Sequence, residues 1–116
     1  MRVPIVVENS RTGARSEELI ALADTGATLT VVPATTLSHI GIEPVGSVAV
    51  VLADGPRVSR RVGNAVIAID GESAPCRVLF GEAGDAVLLG LTVLEQLGLA
   101  VDPVQRRLVP TDFLLY

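Results

Sequence analysis

The sequence predicts a mostly β domain, a small sandwich or closed barrel with one or two short helices. Three observations predict it. Turn-forming residues interrupt the chain roughly every 8 to 15 residues, and the runs between them have strand length. Those runs are rich in Val, Ile and Leu, whose branched side chains suit packed strands better than long helices. Hydrophobic residues make up 49% of the chain but aromatic residues only 3%, so the core has to be aliphatic.

The elements follow in order. Residues 3–8 form a first strand, ended by Asn9-Ser10 and Thr12-Gly13. Residues 19–23 form a second, which runs into Asp24-Thr25-Gly26, and residues 29–32 a third. Pro33 then opens a short helix over 34–40, with Gly41 where a C-terminal glycine cap belongs. Residues 48–53 and 57–62 flank Asp54-Gly55-Pro56, a strong hairpin signal. The second arm continues to residue 69, where Asp70-Gly71 turns the chain into a strand over 74–80. After the break at 81–85 come a short apolar strand at 87–89, Gly90, and a helix over 92–97 capped by Gly98. Asp102-Pro103 closes the pattern. No linker or low-complexity stretch divides residues 1–116, so the expectation is a single domain.

Two stretches resemble each other. Leu22-Ala23-Asp24-Thr25-Gly26, a helix and Ile40-Gly41-Ile42 are echoed by Val87-Leu88-Leu89-Gly90, a helix and Gly98-Leu99. Each reads as apolar strand, glycine turn, short helix and Gly-aliphatic exit, which implies a pseudo-twofold arrangement. The alternative is chance likeness of two strand–turn–helix units.

Composition narrows the function. The mean hydropathy of +0.54 is high for a small domain, so either the core is unusually apolar or a second copy covers part of the surface. Thirteen acidic against nine basic residues argue against nucleic acid as a partner. No apolar run is long enough to span a bilayer, and residues 1–4 lack the features of a signal peptide. The lone Cys76 cannot form an internal disulfide. The expectation is a cytoplasmic protein with no membrane partner. No sequence pattern calls for a metal or a cofactor.

The residues that point to chemistry are Asp24, Thr25, Gly26 and Ala27. Asp24 ends a five-residue apolar run and is therefore carried toward an apolar interior, where a lone carboxylate has to be paired, hydrogen-bonded or protonated. One reading is an Asx turn, with Asp24 bonded to nearby backbone amides. The other is a working carboxylate. On that reading Gly26 brings its N–H close without obstruction, Thr25 offers a hydroxyl that donates and accepts, and Ala27 leaves room for a substrate backbone.

Asp24-Thr25-Gly26-Ala27 inside an apolar strand, followed about 65 residues later by Val87-Leu88-Leu89-Gly90 and a helix, resembles the retropepsin-like aspartic proteases. The resemblance covers nearly the whole chain. It implies a retropepsin-like closed β-barrel or sandwich acting as a C2 homodimer, with no cofactor or metal. Only one Asp-Thr-Gly triad is present. The chemistry needs two carboxylates, so the second has to come from a symmetry mate. Asp24 is then the catalytic residue, with Thr25 and Gly26 supporting the dyad. The hairpin around 52–58, including Leu52, Ala53, Asp54 and Gly55, corresponds to a flap closing on an extended polypeptide substrate; the plainer alternative is a solvated hairpin. Leu22, Val31 and Leu88 match pocket walls, and Ala27 and Thr28 border the substrate. Residues 3–7 and 113–116 correspond to termini that interleave between subunits.

Two departures stand out. Viral members commonly carry an acid where this chain has Thr28, and an Arg after the second glycine where it has Leu91-Thr92. The two losses are mutually consistent, because those groups pair, and they resemble cellular or prokaryotic relatives more than viral ones. Arg57, Arg60 and Arg61 near the flap suit either acidic substrates or a solvated face. A Cys76/His39 nucleophile pair lacks any flanking signature. An actin-like or sugar-kinase ATPase shares an Asp-x-Gly-Thr turn but needs a far longer chain, and no P-loop or dinucleotide fingerprint is present. The remaining rival from another class is a catalytically silent dimeric peptide-binding or dimerisation module of the same fold.

Overall fold

The computed structural model describes residues 1–115. Seven strands form one sheet: β1 (Arg2–Glu8), β2 (Leu19–Ala23), β3 (Thr30–Pro33), β4 (Gly46–Val51), β5 (Arg57–Ile69), β6 (Glu72–Gly81) and β7 (Leu88–Leu89). Their order is β1-β2-β7-β3-β6-β5-β4, and β1 also pairs with β5. That last pairing closes a circuit of six strands, so the expected barrel is present, with β4 attached outside it to β5 alone. Two short helices, α1 (Ala34–His39) and α2 (Leu91–Gln96), pack against the barrel. A separate two-stranded sheet, β8 (Leu99–Asp102) and β9 (Arg107–Pro110), follows α2. The sequence reading missed this hairpin, because Asp102-Pro103 looked like an ending rather than a turn.

Alternation builds the core. Val3, Ile5 and Val7 of β1 point inward, as do Ala65, Ile67 and Ile69 of β5. They meet Ala21, Val32, Val78 and Leu89 from the other strands, and Leu37, Val93 and Leu94 from the helices. Phe80 is the aromatic residue in this aliphatic core and is 2% exposed. Gly63 makes room for its ring, since a Cβ there would lie 2.8 Å from Phe80 Cε1.

Local chemistry sets the turns. β5 and β6 are joined by Asp70-Gly71, whose φ angles of 50° and 81° match the type I′ turn that Asp-Gly favours. α1 ends in a Schellman motif: the Ile42 N–H donates to Leu37 O at 2.9 Å and the Gly41 N–H to Ser38 O at 3.0 Å, with Gly41 at φ 81°. The buried Asn9 side chain donates to Ile40 O at 3.0 Å, tying the loop after β1 to the end of α1.

The two ends of the chain differ. In the protomer Arg2–Ile5 of β1 pairs with β2, and Val6–Glu8 pairs with β5, so each half of the strand has one strand partner and Arg2–Ile5 keeps one edge open. Residues 113–115 form no strand in the protomer; the Phe113 ring lies over Gly98, where a Cβ would come within 2.8 Å of it. Tyr116, the last residue of that expected strand, lies outside the described residues. The internal repeat holds only in part, because β3 separates the Gly26 turn from α1 whereas Gly90 is itself the N-cap of α2. Among the described residues no helix is long and apolar enough to cross a membrane.

Phe80→Ala should destabilise the protein by about 3–5 kcal/mol, through lost burial and the cavity left behind. Urea unfolding of the two proteins measures this directly.

Candidate active site

The parallel pairing of β2 with β7 runs through Leu22↔Leu88 and Ala23↔Leu89 and then stops. The Asp24 N–H still donates to Leu89 O at 3.0 Å, after which the chain turns out of the barrel. Gly26 donates its N–H to Asp24 Oδ1 at 2.9 Å, and Ala27 N–H reaches Asp24 O at 3.1 Å. A Cβ at Gly26 would lie 3.1 Å from the same Oδ1, so the close approach expected of this glycine is present. The Asx turn is thus present, and one carboxylate oxygen of Asp24 is held by it.

The expectation that Asp24 enters an apolar interior is not met. Asp24, Thr25 and Gly26 are exposed in the protomer. The reason is topological: β2 stops pairing one residue earlier, so the apolar run delivers the acid to the rim of the barrel. The ion pairs of the described residues, Arg60–Asp85 and Arg61–Glu82, leave Asp24 without a cation.

Behind the acid loop lies the start of α2. The first amides of a helix have no partner inside it. Here the Gly90 N–H donates to Thr30 Oγ1 at 3.0 Å, Leu91 N–H to Ala27 O at 2.8 Å and Thr92 N–H to Thr28 O at 3.1 Å. The Thr92 hydroxyl also donates to Thr28 O, at 2.8 Å. The fit at Gly90 is so close that a Cβ would lie 2.5 Å from Leu29 C. Of the positions expected to depart from the viral pattern, Thr28, Leu91 and Thr92, the Thr28 carbonyl accepts both bonds from Thr92, and Leu91 bonds through its amide to Ala27 O.

The three expected pocket walls come together. Leu88 pairs with Leu22 on one side and with Val31 on the other, which puts all three in one row across the sheet. Cross-strand partners share a face. This face is the outer one: Leu22 is 41% exposed, whereas Ala21, Val32 and Leu89 on the opposite face are fully buried. Ile20, two residues before Leu22, extends the apolar strip and is also exposed.

Leu52, Ala53, Asp54 and Gly55 lie apart from that row, in the turn of the β4–β5 hairpin. Leu52 N–H donates to Pro56 O and Gly55 N–H to Leu52 O, both at 2.9 Å. Of the three arginines on this hairpin, Arg60 pairs with Asp85 and Arg61 with Glu82, while Arg57 forms no ion pair among the described residues. Two concavities of about 440 and 510 Å³ lie elsewhere on the surface, and neither is lined by Asp24.

The Cys76/His39 pair is not supported. Burial pushes the Cys76 thiol up to about 11, the wrong direction for a nucleophile, and His39 is exposed at the end of α1. Among the described residues no cluster of three or more His, Cys, Asp or Glu is placed to hold a metal ion. Sequence reasoning missed Thr30, the fully buried hydroxyl that takes the Gly90 N–H. Its one signal was a hydroxyl inside an apolar strand. It also missed the Arg60–Asp85 pair, because 25 residues separate the partners.

Comparison with known proteins bears on the family and the fold. Residues 14–96 match the family described as "gag-polyprotein putative aspartyl protease". No curated protein matches the chain by sequence. Among solved structures, the simian foamy virus (mac) protease in solution is 20% identical, with TM-score 0.55, over 81% of this chain and 91% of its own. The EIAV protease complexed with an inhibitor is 18% identical, with TM-score 0.66, over 84% of this chain and 88% of its own. A foamy viral protease-reverse transcriptase in complex with an RNA/DNA hybrid is 23% identical, with TM-score 0.60; the match covers 90% of this chain but 14% of that one.

Replacing Thr30 by Val keeps the shape but leaves the Gly90 N–H without its acceptor. It should cost about 1–3 kcal/mol in urea unfolding, while Thr30→Ser should retain most of the wild-type stability.

Proposed function

The chain belongs to the gag-polyprotein family of retropepsin-like aspartyl proteases, and on that premise we propose that it is an aspartic endopeptidase, active as a homodimer. The observation that carries the reading is the Asp24 carboxylate itself. It is held by the Gly26 N–H, exposed at the rim of the barrel and free of any cationic partner among the described residues. A guanidinium beside Asp24 would fix its negative charge; without one, the carboxylate can share a proton with a second acid.

That second acid is Asp24 of another copy, since each chain carries one Asp-Thr-Gly triad. A twofold axis passing close to the acid loop brings the two together. On this reading the cleft forms between two copies, which agrees with the position of the two concavities of the protomer away from Asp24.

The chemistry follows from electrostatics. Two carboxylates about 3 Å apart cannot both ionise readily, so they hold one proton between them and titrate as a pair. The ionised member takes a proton from a water held between them, and that water attacks the scissile carbonyl carbon. The protonated member donates to the carbonyl oxygen, and the gem-diol intermediate collapses as the leaving amine is protonated. Thr25 of each subunit bonds across the axis and stiffens the dyad. Ala27 and Thr28 border the substrate backbone, and Leu22, Leu88 and Val31 receive its apolar side chains. The β4–β5 hairpin, with Leu52, Ala53, Asp54 and Gly55 at its turn, closes over an extended peptide gripped through main-chain hydrogen bonds.

Cleavage of a diverse unfolded-peptide mixture between about pH 4 and 7 tests the reading. Wild type should cleave and Asp24→Asn should not, because Asn is nearly isosteric but cannot act as the base. Silence of both proteins, with a dimer confirmed by sedimentation, would instead indicate the silent peptide-binding module. Activity should also fall faster than protein concentration on dilution through the dimer dissociation constant. A monomer with full turnover would rule out the shared site.

A further inference from the structure

β5 has two halves with different support. Residues 62–69 pair with β6, while residues 57–61 pair only with β4. Beyond residue 62 toward the turn, the β4–β5 hairpin is thus a two-stranded ribbon, which is at best marginally stable in water by itself. Most of its side chains are exposed, so the core does not determine its direction.

One contact does. Arg60 lies just past the point where β5 leaves β6. Its Nε donates to Asp85 Oδ2 at 2.7 Å and its Nη2 to Asp85 Oδ1 at 2.9 Å. The side chains are 16% and 21% exposed. Exposed ion pairs contribute little, but a bidentate, largely enclosed guanidinium–carboxylate pair fixes geometry as well as energy. Asp85 is itself held, because its Oδ2 accepts the Glu82 N–H at 2.8 Å and its own N–H donates to Glu82 O at 2.9 Å. Two residues further on, Val87 O accepts the Leu22 N–H at 2.9 Å, and Leu88 follows in the apolar row. A short, internally bonded turn therefore connects the root of the hairpin to a pocket wall.

We propose that Arg60 and Asp85 form a positioning latch, which fixes the resting direction of the β4–β5 hairpin relative to the Leu22–Leu88–Val31 row and so governs how tightly substrate is held. This rests on the protease reading above for its consequence in binding, though not for the latch itself. Neither residue touches the reacting atoms; both act through the hairpin and through the turn leading to Leu88.

The latch also suits acid conditions. The groups facing Asp85 are the Arg60 guanidinium and the Glu82 backbone amide, while the Glu82 carboxylate faces Arg61 at 3.6 Å. The hydrogen bond from Arg60 holds the Asp85 carboxyl below its ordinary value, helped by the Glu82 amide and opposed by partial burial. A lowered folded-state pKa means that the contribution is fully present above the unfolded value. It is lost only as the pH falls through Asp85's own lowered pKa. The latch therefore persists to a lower pH than an ordinary aspartate would allow.

Amide hydrogen exchange and steady-state kinetics together test this, using Asp85→Asn, Arg60→Lys and the charge-exchanged pair Arg60→Asp with Asp85→Arg. In either single variant, amides of β4 and residues 57–61 should exchange about tenfold faster or more, with the β5–β6 core amides unchanged. KM for a peptide should rise with kcat nearly constant, and the exchanged pair should recover both. Unchanged hairpin exchange in Asp85→Asn overturns the latch. So does an increase spread equally over the whole sheet, which would mark a merely structural ion pair. If wild type cleaves no peptide, the protease reading fails, while the exchange data still decide the latch.

Discussion

The arrangement depends on three amide donors that a helix cannot use internally. The N–H groups of Gly90, Leu91 and Thr92 point out of the start of α2, and all three are taken up by the 27–30 segment. A buried donor left unpaired is costly, so the pairing is obligatory rather than decorative. It decides where the loop after Asp24 runs, and through the Asp24–Leu89 bond it decides where the carboxylate emerges. Gly90 is needed for the same reason, because any side chain there would collide with the backbone of Leu29. The acid turn and the helix 65 residues away are one unit.

This explains how much was legible. The barrel strands, both helices and the Asp-Gly turns were readable because each depends on local pattern: alternation in β1, a turn pair at Asp70-Gly71, a glycine cap at Gly41. Leu22, Leu88 and Val31 were named from their spacing to two motifs, and the strand register places them side by side. Contacts made only in three dimensions were not legible. Nothing near Arg60 in sequence marks Asp85 as its partner, so an arginine-rich arm read as solvated. Thr30 looked like one more strand residue until its hydroxyl met the Gly90 amide.

The exposure of Asp24 is the most instructive difference between expectation and structure. Five apolar residues before an acid suggest burial, yet strand pairing ends at Ala23 and the acid is delivered to the rim. Hydrophobic pattern reports where a strand runs, while the position of its last paired residue reports where its terminal side chain goes. The two diverge by one residue here, and it is the residue on which the proposed chemistry rests. The Thr28 carbonyl fits the same picture: it accepts both the Thr92 amide and the Thr92 hydroxyl, so neutral hydrogen bonds hold the loop to the helix.

Closure of the barrel has a consequence for how the molecule meets its neighbours. Closure of the circuit leaves few strand edges open. Among the described residues β4 is an edge along its whole length, while Arg57–Arg61 of β5 and Arg2–Ile5 of β1 each have a strand partner on one side alone. β4 reads Gly-Ser-Val-Ala-Val-Val, without a charge, a proline or a bulky side chain to discourage an incoming strand. An incoming strand therefore meets six uncharged residues with their hydrogen-bonding groups free on one side. In concentrated solution that edge is where copies of the chain can add strand to strand.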